Sequence, residues 1–176
     1  MKKLGMILLL ALILCFMIAC KDKEAMAELE EFRAQAAVEK ENKALAERFI
    51  EAWNKGDAAT LKEILSPDFV HHPRMGVDES LEDALKGLKE RMTMFPDQNL
   101  RVQDLIVKGD KFVFRGIFSG THTGDTEWLP ATGKRVEIRG FGIYQVENGR
   151  IVEDWGITDL LDFHEQLGYE VERKKD

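Results

Sequence analysis

The sequence predicts an α+β domain in which helices pack on one face of a curved antiparallel sheet. The first part of the chain reads as helices, and the second part reads as strands separated by turns. An Asn-Gly pair between two alternating apolar runs predicts a hairpin near the end. The length of 176 residues fits one domain, and a chain with 44% hydrophobic and 32% charged residues has the composition of a globular protein.

The first twenty residues are typical of an export signal. Lys2 and Lys3 precede an apolar run that is shorter than the roughly 20 residues a membrane-spanning helix needs. Ala19 and Cys20 end this run, which resembles the lipobox of bacterial lipoproteins. The resemblance implies a lipoprotein signal peptide over 1–19 and a lipidated Cys20 that anchors the protein in the bacterial cell envelope, facing outside the cytoplasm. The alternative is an ordinary secretory signal in which Cys20 has no role.

The charge and the cysteine count exclude several function classes. The formal net charge is −7, and loss of Lys2 and Lys3 with the signal makes it more negative. A nucleic-acid partner is not expected, because such binding needs a surplus of Lys and Arg. Membrane association would rest on acyl chains attached to Cys20. Because Cys15 leaves with the signal, the folded domain would have no free thiol, which excludes cysteine nucleophiles and disulfides.

A long helix is predicted after the signal, because residues 21–54 contain neither Pro nor Gly and are rich in Ala, Glu, Lys and Leu. We expect residues 20–39 to be a charged helical stalk, residues 40–170 to be the folded domain and residues 171–176 to be a charged tail. Gly56 ends the long helix, and Asp57 is placed to cap a short helix over 58–65.

The remaining elements follow from turns and alternation. Residues 68–73 read as a short strand or edge segment closed by Pro73, and either Asp78 or Ser80 can cap the next helix, which ends near residue 94. Four strands are predicted over 100–107, 111–121, 135–146 and 150–157. A last helix over 159–167 begins with Asp159 as a cap and ends at Gly168.

A set of short motifs resembles one protein family when the motifs are taken in order. They are AWNKGD at 52–57, DFVH at 68–71, GTHTG at 120–124, LPATGK at 129–134, NGRIVEDW at 148–155 and QLG at 166–168. Over about residues 40–168 the chain resembles the SnoaL-like polyketide cyclases and the related ester cyclases. The resemblance implies the cone-shaped fold of the nuclear transport factor 2-like superfamily: a curved sheet wrapped by helices around a hydrophobic pocket. It also implies a homodimer formed through the sheet.

The chain departs from this family at its reactive positions. The cyclases carry an acid–base Asp directly after the position that matches Trp155, where this chain has Gly156. They also carry polar residues, including a His, at the positions that match Gly140 and Gly142. Proton abstraction needs a positioned base, so ring-closing aldol chemistry is not transferred to this chain.

Strand alternation indicates which residues share the pocket face. Residues of like parity lie on one face of a strand, which groups Val136, Ile138, Gly140, Gly142 and Tyr144, with Asp154, Gly156 and Thr158 beside them. The glycines would either enlarge the pocket or mark a bulge or bend of the sheet. The two interpretations are compatible.

Asp154 and His71 are the candidate catalytic residues. Asp154 is the one carboxylate placed on the pocket face near Gly156, which makes it a substitute general base. Its alternative role is an exposed acid or a salt bridge to Arg139 or Arg150. His71 occupies a position that is polar and lines the pocket in the cyclases, and its imidazole could act as an acid–base group. Alternatively, it is a structural or surface histidine.

A further group of residues is expected to bind the ligand or to form ordinary core. These residues are Trp53, Phe69, Phe95, His122, Trp128, Ile138 and Tyr144. Trp128 is of special interest as a possible pocket lid, because an apolar side chain in a loop needs an explanation. His72 and Trp155 should point away from the pocket. No metal-binding motif joins the histidines, so neither a metal nor a cofactor is expected.

Three functions remain open. The preferred one is a non-enzymatic module that binds a small apolar or amphipathic molecule. The second is a divergent cyclase, isomerase or hydrolase that uses Asp154 and His71. The third is a dimeric interaction domain without a ligand, which a pocket filled with side chains would favour.

Overall fold

A computed structural model describes residues 2–127 and 129–170, with side chains from residue 23 onward. It divides into two units, Met1–Val38 and Glu39–Asp176. The side chains of residues 23–38 are exposed on a helix. No helix with described side chains is long and apolar enough to cross a membrane. The predicted tail 171–176, and the side chains of the predicted signal 1–19 and of Cys20, lie outside the described part.

Helices and strands follow one another in nearly the predicted order. The described elements are α1 (Lys2–Lys55), α2 (Ala58–Ile64), β1 (Leu65–Arg74), β2 (Val77–Ser80), α3 (Leu81–Met94), β3 (Asn99–Lys108), β4 (Lys111–Thr121), β5 (Arg135–Glu147), β6 (Arg150–Thr158) and α4 (Leu160–Leu167). The α+β prediction is confirmed. Strand β2 was not predicted, because its sequence VDES contains one apolar residue and so shows no alternation of apolar and polar residues.

The sheet is mixed, which corrects the prediction of an all-antiparallel sheet. Its strand order is β2-β1-β6-β5-β4-β3. Strands β1 and β6 pair in parallel, whereas the other four neighbouring pairs are antiparallel. The parallel pair arises because β1 precedes the helix α3 and the meander β3–β6, and the last strand of that meander returns beside it.

Of the two alternatives for residues 68–73, the strand is confirmed and the edge segment is wrong. Strand β1 lies inside the sheet between β2 and β6. Pro73 is tolerated there because the β1–β2 register shifts between His71 and Arg74, so the missing proline N–H falls in an irregular stretch of the ladder. This interior position places His71 beside two other strands.

Local signals explain where the elements begin and turn. Of the two predicted caps for α3, Ser80 is used, and it forms a capping box with Asp83. Asp159 caps α4 as predicted. Asn148 and Gly149 have φ of 50° and 74°, the left-handed pair that a two-residue hairpin between β5 and β6 requires.

The core lies between the helices and one face of the sheet. Residues 136, 138, 142, 144 and 146 of β5 are buried, whereas the odd-numbered positions are mostly exposed, which confirms the predicted alternation. Phe49 and Ala52 of α1 pack against the side of this face that carries Tyr144 and Phe112. A second cluster joins Phe95 and Phe118 to α4.

Candidate functional site

A cavity of about 670 Å³ opens into the domain on the inner face of the sheet. This volume is in the range of small-molecule sites, and the walls are mainly apolar. All four helices and all six strands supply lining residues. The lining residue Leu160, on α4, is exposed and marks its opening. Because the cavity is not filled with side chains, the condition that would favour a ligand-free interaction domain is not met.

His71 and Asp154 meet in this cavity. They are direct Cα partners on the parallel strands β1 and β6, and both line the cavity. His71 Nδ1 lies 2.7 Å from Asp154 Oδ1. The carboxylate can only accept this bond, so Nδ1 carries the proton. Nε2 of His71 then has a free lone pair, because it has no hydrogen-bond partner in the described part of the chain.

Asp154 is therefore neither an exposed acid nor the partner of an arginine. It is 5% exposed. Arg150 donates to the carbonyl of Leu65, and no ion pair within the described ranges joins Asp154 to Arg139 or Arg150. Both alternatives for Asp154, an exposed acid and a salt bridge to Arg139 or Arg150, are wrong. Its side chain lies on the inner face and bonds to His71 on β1.

Four polar or aromatic side chains form a row across neighbouring strands. Glu79 on β2 lies opposite His71, His71 lies opposite Asp154, and Asp154 lies opposite Tyr144 on β5. All four line the cavity. Glu79 was missed by the sequence analysis because β2 itself was missed, and its place beside His71 adds a second negative charge to the site.

The electrostatics of the site favour a titratable His71. Burial opposes a charge on the imidazole, but the hydrogen bond and the negative charge of Asp154, with the charge of Glu79, outweigh it and raise the pKa of His71 above its usual value. Burial raises the pKa of the Tyr144 hydroxyl well above its usual value, which keeps that group neutral. The site therefore combines a histidine that binds a proton more tightly than a free imidazole with a neutral hydroxyl.

The neighbouring His72 faces the other side of the sheet, as predicted. Its Nδ1 donates to Asp78 Oδ1 at 2.8 Å, and its Nε2 donates to Glu153 Oε1 at 2.7 Å. It also stacks on Trp155 with ring centroids 5.1 Å apart. Trp155 therefore lies on the outer face of the sheet, as strand alternation predicted.

The three glycines of the pocket face have different surroundings. A Cβ at Gly142 would lie 2.5 Å from the ring of Tyr144, so this glycine allows the ring to lie against the strand. A Cβ at Gly140 or Gly156 would have no neighbour closer than 3.5 Å. The β4–β5 register is regular throughout, and the β5–β6 register is regular from residue 140 to residue 145. The glycines therefore do not mark a bulge.

Arg91 is a cavity residue that the sequence analysis missed. Its guanidinium carbon lies 3.7 Å from the ring centroid of Trp53, and its Nε donates to Gln98 Oε1 at 3.1 Å. Burial lowers the pKa of Arg91 to about 9, which leaves it charged at neutral pH. Spacing could have revealed it, since Ala84, Leu88 and Arg91 recur at helical intervals on the apolar face of α3.

Most of the predicted ligand-binding residues line the cavity. These are Trp53, Phe69, Phe95, Ile138 and Tyr144. Trp128 lies outside the described residues. His122 does not line the cavity: it is fully buried, its ring packs on Phe95 at 5.1 Å, and its Nδ1 interacts with Thr132. His122 directly follows the last residue of β4, and its side chain packs in the core against Phe95.

No group of three or more potential metal-ligating side chains converges in the residues with described side chains. The polar groups that line the cavity include the hydrogen-bonded pair His71 and Asp154, the carboxylate of Glu79, the hydroxyl of Tyr144 and the guanidinium groups of Arg74 and Arg91. Their chemistry is proton transfer and the recognition of oxygen atoms.

Known proteins share this arrangement of elements. TsrD from Streptomyces laurentii is 33% identical with a TM-score of 0.66, over 73% of this chain and 96% of TsrD. IdmH from Streptomyces antibioticus, a candidate polyketide cyclase, is 32% identical with a TM-score of 0.65, over 72% of this chain and 98% of IdmH. AclR from Streptomyces galilaeus, a candidate hydroxylase, is 28% identical with a TM-score of 0.67, over 73% of this chain and 96% of AclR. No curated protein matches.

The family assignment follows from two independent matches. The family model of the SnoaL-like polyketide cyclases covers residues 43–167, which is most of the chain. TsrD is similar to this chain in sequence as well as in fold, since the two are 33% identical and the match covers 96% of TsrD. The chain belongs to the SnoaL-like polyketide cyclase family.

Proposed function

We propose that this protein binds a small amphipathic molecule in the cavity and transfers a proton to or from it with His71. The observation that carries the proposal is the 2.7 Å hydrogen bond between His71 and Asp154 inside a mainly apolar cavity. A binding module has no need of a buried carboxylate oriented on a histidine, whereas a general base does. The proposal therefore favours the enzymatic alternative over binding alone.

In the proposed reaction, Nε2 of His71 removes a proton from a carbon next to a carbonyl group. The C–H bond breaks, an N–H bond forms, and the electron pair moves to the carbonyl oxygen as an enolate. The Tyr144 hydroxyl has no hydrogen-bond partner among the described residues and lines the cavity, so it is placed to donate to that oxygen. Asp154 holds the imidazole and stabilises the imidazolium. The proton then returns to the substrate at carbon or oxygen.

The position of His71 beside Gly156 supports this assignment. Gly156 stands where the resemblance places the acid–base Asp of the cyclases. His71 Cε1 lies 3.8 Å from the point that a Cβ at Gly156 would occupy, so the imidazole borders the space that such a side chain would fill. We propose that His71, held by Asp154, replaces the missing carboxylate.

Deuterium exchange tests proton transfer without knowledge of the natural substrate. The probe is a naphthyl methyl ketone in D2O, with exchange of its methyl protons followed by NMR. We expect the protein to accelerate this exchange and His71→Gln to lower the acceleration by roughly 100-fold or more. The matched control is His164→Gln, since His164 lies on α4 and does not line the cavity. If the ketone binds and the wild-type and His71→Gln proteins exchange it equally, the cavity is a binding module.

A second part of the proposal concerns the location of the protein. We propose that it is an exported lipoprotein, anchored to an envelope membrane through lipidated Cys20, and the signal pattern of residues 1–20 supports this. Replacing Cys20 with Ser should release the protein from membranes and abolish labelling by a radioactive fatty acid. Membrane retention of the unlabelled variant would contradict lipidation.

We also propose that the domain forms a homodimer through the outer face of the sheet. Support comes from exposed apolar side chains on β5 and β6, namely Phe141, Ile143, Trp155 and Ile157. Replacing Ile143 with Lys should convert a dimer to a monomer in light scattering. A monomeric wild-type protein at the concentration of the test would reject this arrangement.

A further inference from the structure

Arg91 brings a positive charge into the cavity without a negative partner. None of the ion pairs formed by residues 23–127 and 129–170 includes Arg91. Two acids also line the cavity, but Asp154 is bound to His71 and Glu79 lies beside His71 on β2. A guanidinium removed from bulk water without a counter-ion is unfavourable unless another negative group compensates for it.

The guanidinium is also held in a fixed orientation. Its central carbon lies over the Trp53 ring, 3.7 Å from the ring centroid, and its Nε donates to Gln98. Gln98 is itself buried and donates to the carbonyl of Trp53 at 2.9 Å, so the amide that holds Arg91 cannot rotate freely. These contacts involve the guanidinium carbon and Nε. Nη1 and Nη2 have no hydrogen-bond partner in the described part of the chain.

We propose that the natural occupant of the cavity is an amphipathic carboxylate whose charged end binds Nη1 and Nη2 of Arg91. Two parallel N–H groups of a guanidinium match the two oxygens of a carboxylate, which favours this anion over a single oxygen acceptor. The apolar walls then enclose the rest of the molecule. This inference rests on the proposed function in placing a ligand in the same cavity, and it adds the chemical class of that ligand.

The charges in the cavity also determine which end of the ligand is anionic. Asp154 and Glu79 repel a carboxylate from the surroundings of His71, whereas Arg91 attracts it to α3. The other lining guanidinium, Arg74, is exposed at the end of β1, where water weakens its attraction for an anion. The uncharged carbonyl part of the ligand is left beside His71 and Tyr144. The substrate class is therefore an apolar acid with a separate carbonyl group, held at its carboxylate while the carbonyl end reacts.

A pair of probes with the same shape tests the preference for a carboxylate. Naphthalene carboxylate and naphthalene carboxamide differ in charge but hardly in size, and their affinities can be measured by calorimetry at pH 7. We expect the wild-type protein to bind the carboxylate more tightly. Arg91→Met keeps an unbranched apolar side chain against Trp53 and should weaken carboxylate binding by roughly tenfold or more, with little effect on the carboxamide. Arg91→Lys should retain part of the preference.

Two other arginines serve as controls. Arg101→Met removes an exposed charge on β3 outside the cavity and should leave both affinities unchanged. Arg74→Met removes the second guanidinium that lines the cavity, and a loss of preference in this variant but not in Arg91→Met would overturn the assignment. Equal affinity for the two wild-type complexes would reject the carboxylate while leaving the cavity as a binding site. Failure of both probes to bind would count against the carboxylate and the proposed function together.

Discussion

His71 Nδ1 and Asp154 Oδ1 lie 2.7 Å apart on two strands that run in parallel. The pair does not depend on a loop, because the backbone ladder between β1 and β6 fixes the distance between the two Cα positions. Glu79 on β2 lies directly across His71 on the opposite side. A histidine fixed between two carboxylates on neighbouring strands keeps one tautomer and binds a proton more tightly than a free imidazole.

Removing the Asp154 charge should lower the pKa of His71. Asp154→Asn takes away the hydrogen bond and the charge that outweigh burial, whereas the desolvation of the imidazole remains. An NMR titration of the His71 ring protons should show a pKa above the usual value in the wild-type protein and a lower one in the variant. Asp78→Asn is the matched control, because Asp78 contacts His72 on the other face. An unchanged titration of His71 in Asp154→Asn would contradict the assigned pair.

Two glycines on the pocket face should respond in opposite ways to the same substitution. A methyl group at Gly142 would lie 2.5 Å from Tyr144, so Gly142→Ala should destabilise the fold by about 1–3 kcal/mol through overpacking. At Gly156 the nearest atom, His71 Cε1, is 3.8 Å away. Gly156→Ala should leave the free energy of unfolding unchanged or raise it by about 0.4–1 kcal/mol. Urea denaturation measures both values, and equal effects would show that Tyr144 does not require Gly142.

The Tyr144 hydroxyl should matter for the ligand and not for the fold. The ring is held by Phe112 at 4.6 Å, Phe49 at 5.0 Å and Phe114 at 5.4 Å, and Tyr144→Phe keeps all three contacts. We expect an unchanged free energy of unfolding and a roughly two- to tenfold loss in the deuterium exchange of the ketone probe, the cost of one neutral hydrogen bond. A stable variant with full exchange activity would exclude Tyr144 as the donor to the carbonyl oxygen.

Local signals in the sequence were sufficient for most element boundaries. The bounds of β4 were predicted to the residue, because a Gly-Asp turn precedes it and a loop rich in turn residues follows it. Asn148 and Gly149 located the hairpin between β5 and β6 for a conformational reason, their positive φ. Parity along β5 and β6 also placed Asp154 on the inner face.

The long-range pairing of β1 could not be predicted from local signals. No feature of residues 65–74 indicates that they pair with β6, since His71 and Asp154 are more than eighty positions apart in the sequence. Pro73 instead favoured an edge position for this strand. The His71–Asp154 contact depends on this pairing, so the sequence indicated both residues but not the bond between them. Arg91 was missed for another reason: a charge within a helix usually faces water, and here it lies on the apolar face.

His122 and His71 should give opposite dependences of stability on pH. Burial lowers the pKa of His122, so the unfolded chain binds the proton more readily, and stability should fall as the pH falls below the unfolded value of about 6.5. The pKa of His71 is raised, so its contribution is fully present below about pH 6.5 and is lost as the pH rises through its folded pKa. Urea denaturation from pH 5 to 8 measures both trends, with a slope of at most about 1.4 kcal/mol per pH unit for each histidine.

Two variants separate these contributions. His122→Gln should remove the loss of stability on acidification, even though it costs stability at pH 8 by disturbing the packing against Phe95. Its Nδ1 accepts from the Thr132 N–H, so the neutral ring carries its proton on Nε2, which is buried without a hydrogen-bond partner in the described part of the chain. Acidification would protonate Nδ1 and remove this bond, which makes the charged ring unfavourable. His71→Gln should instead remove the gain at low pH. If the two variants show the same pH dependence as the wild-type protein, other groups control the acid response, and the burial of neutral His122 does not limit the stability of the domain.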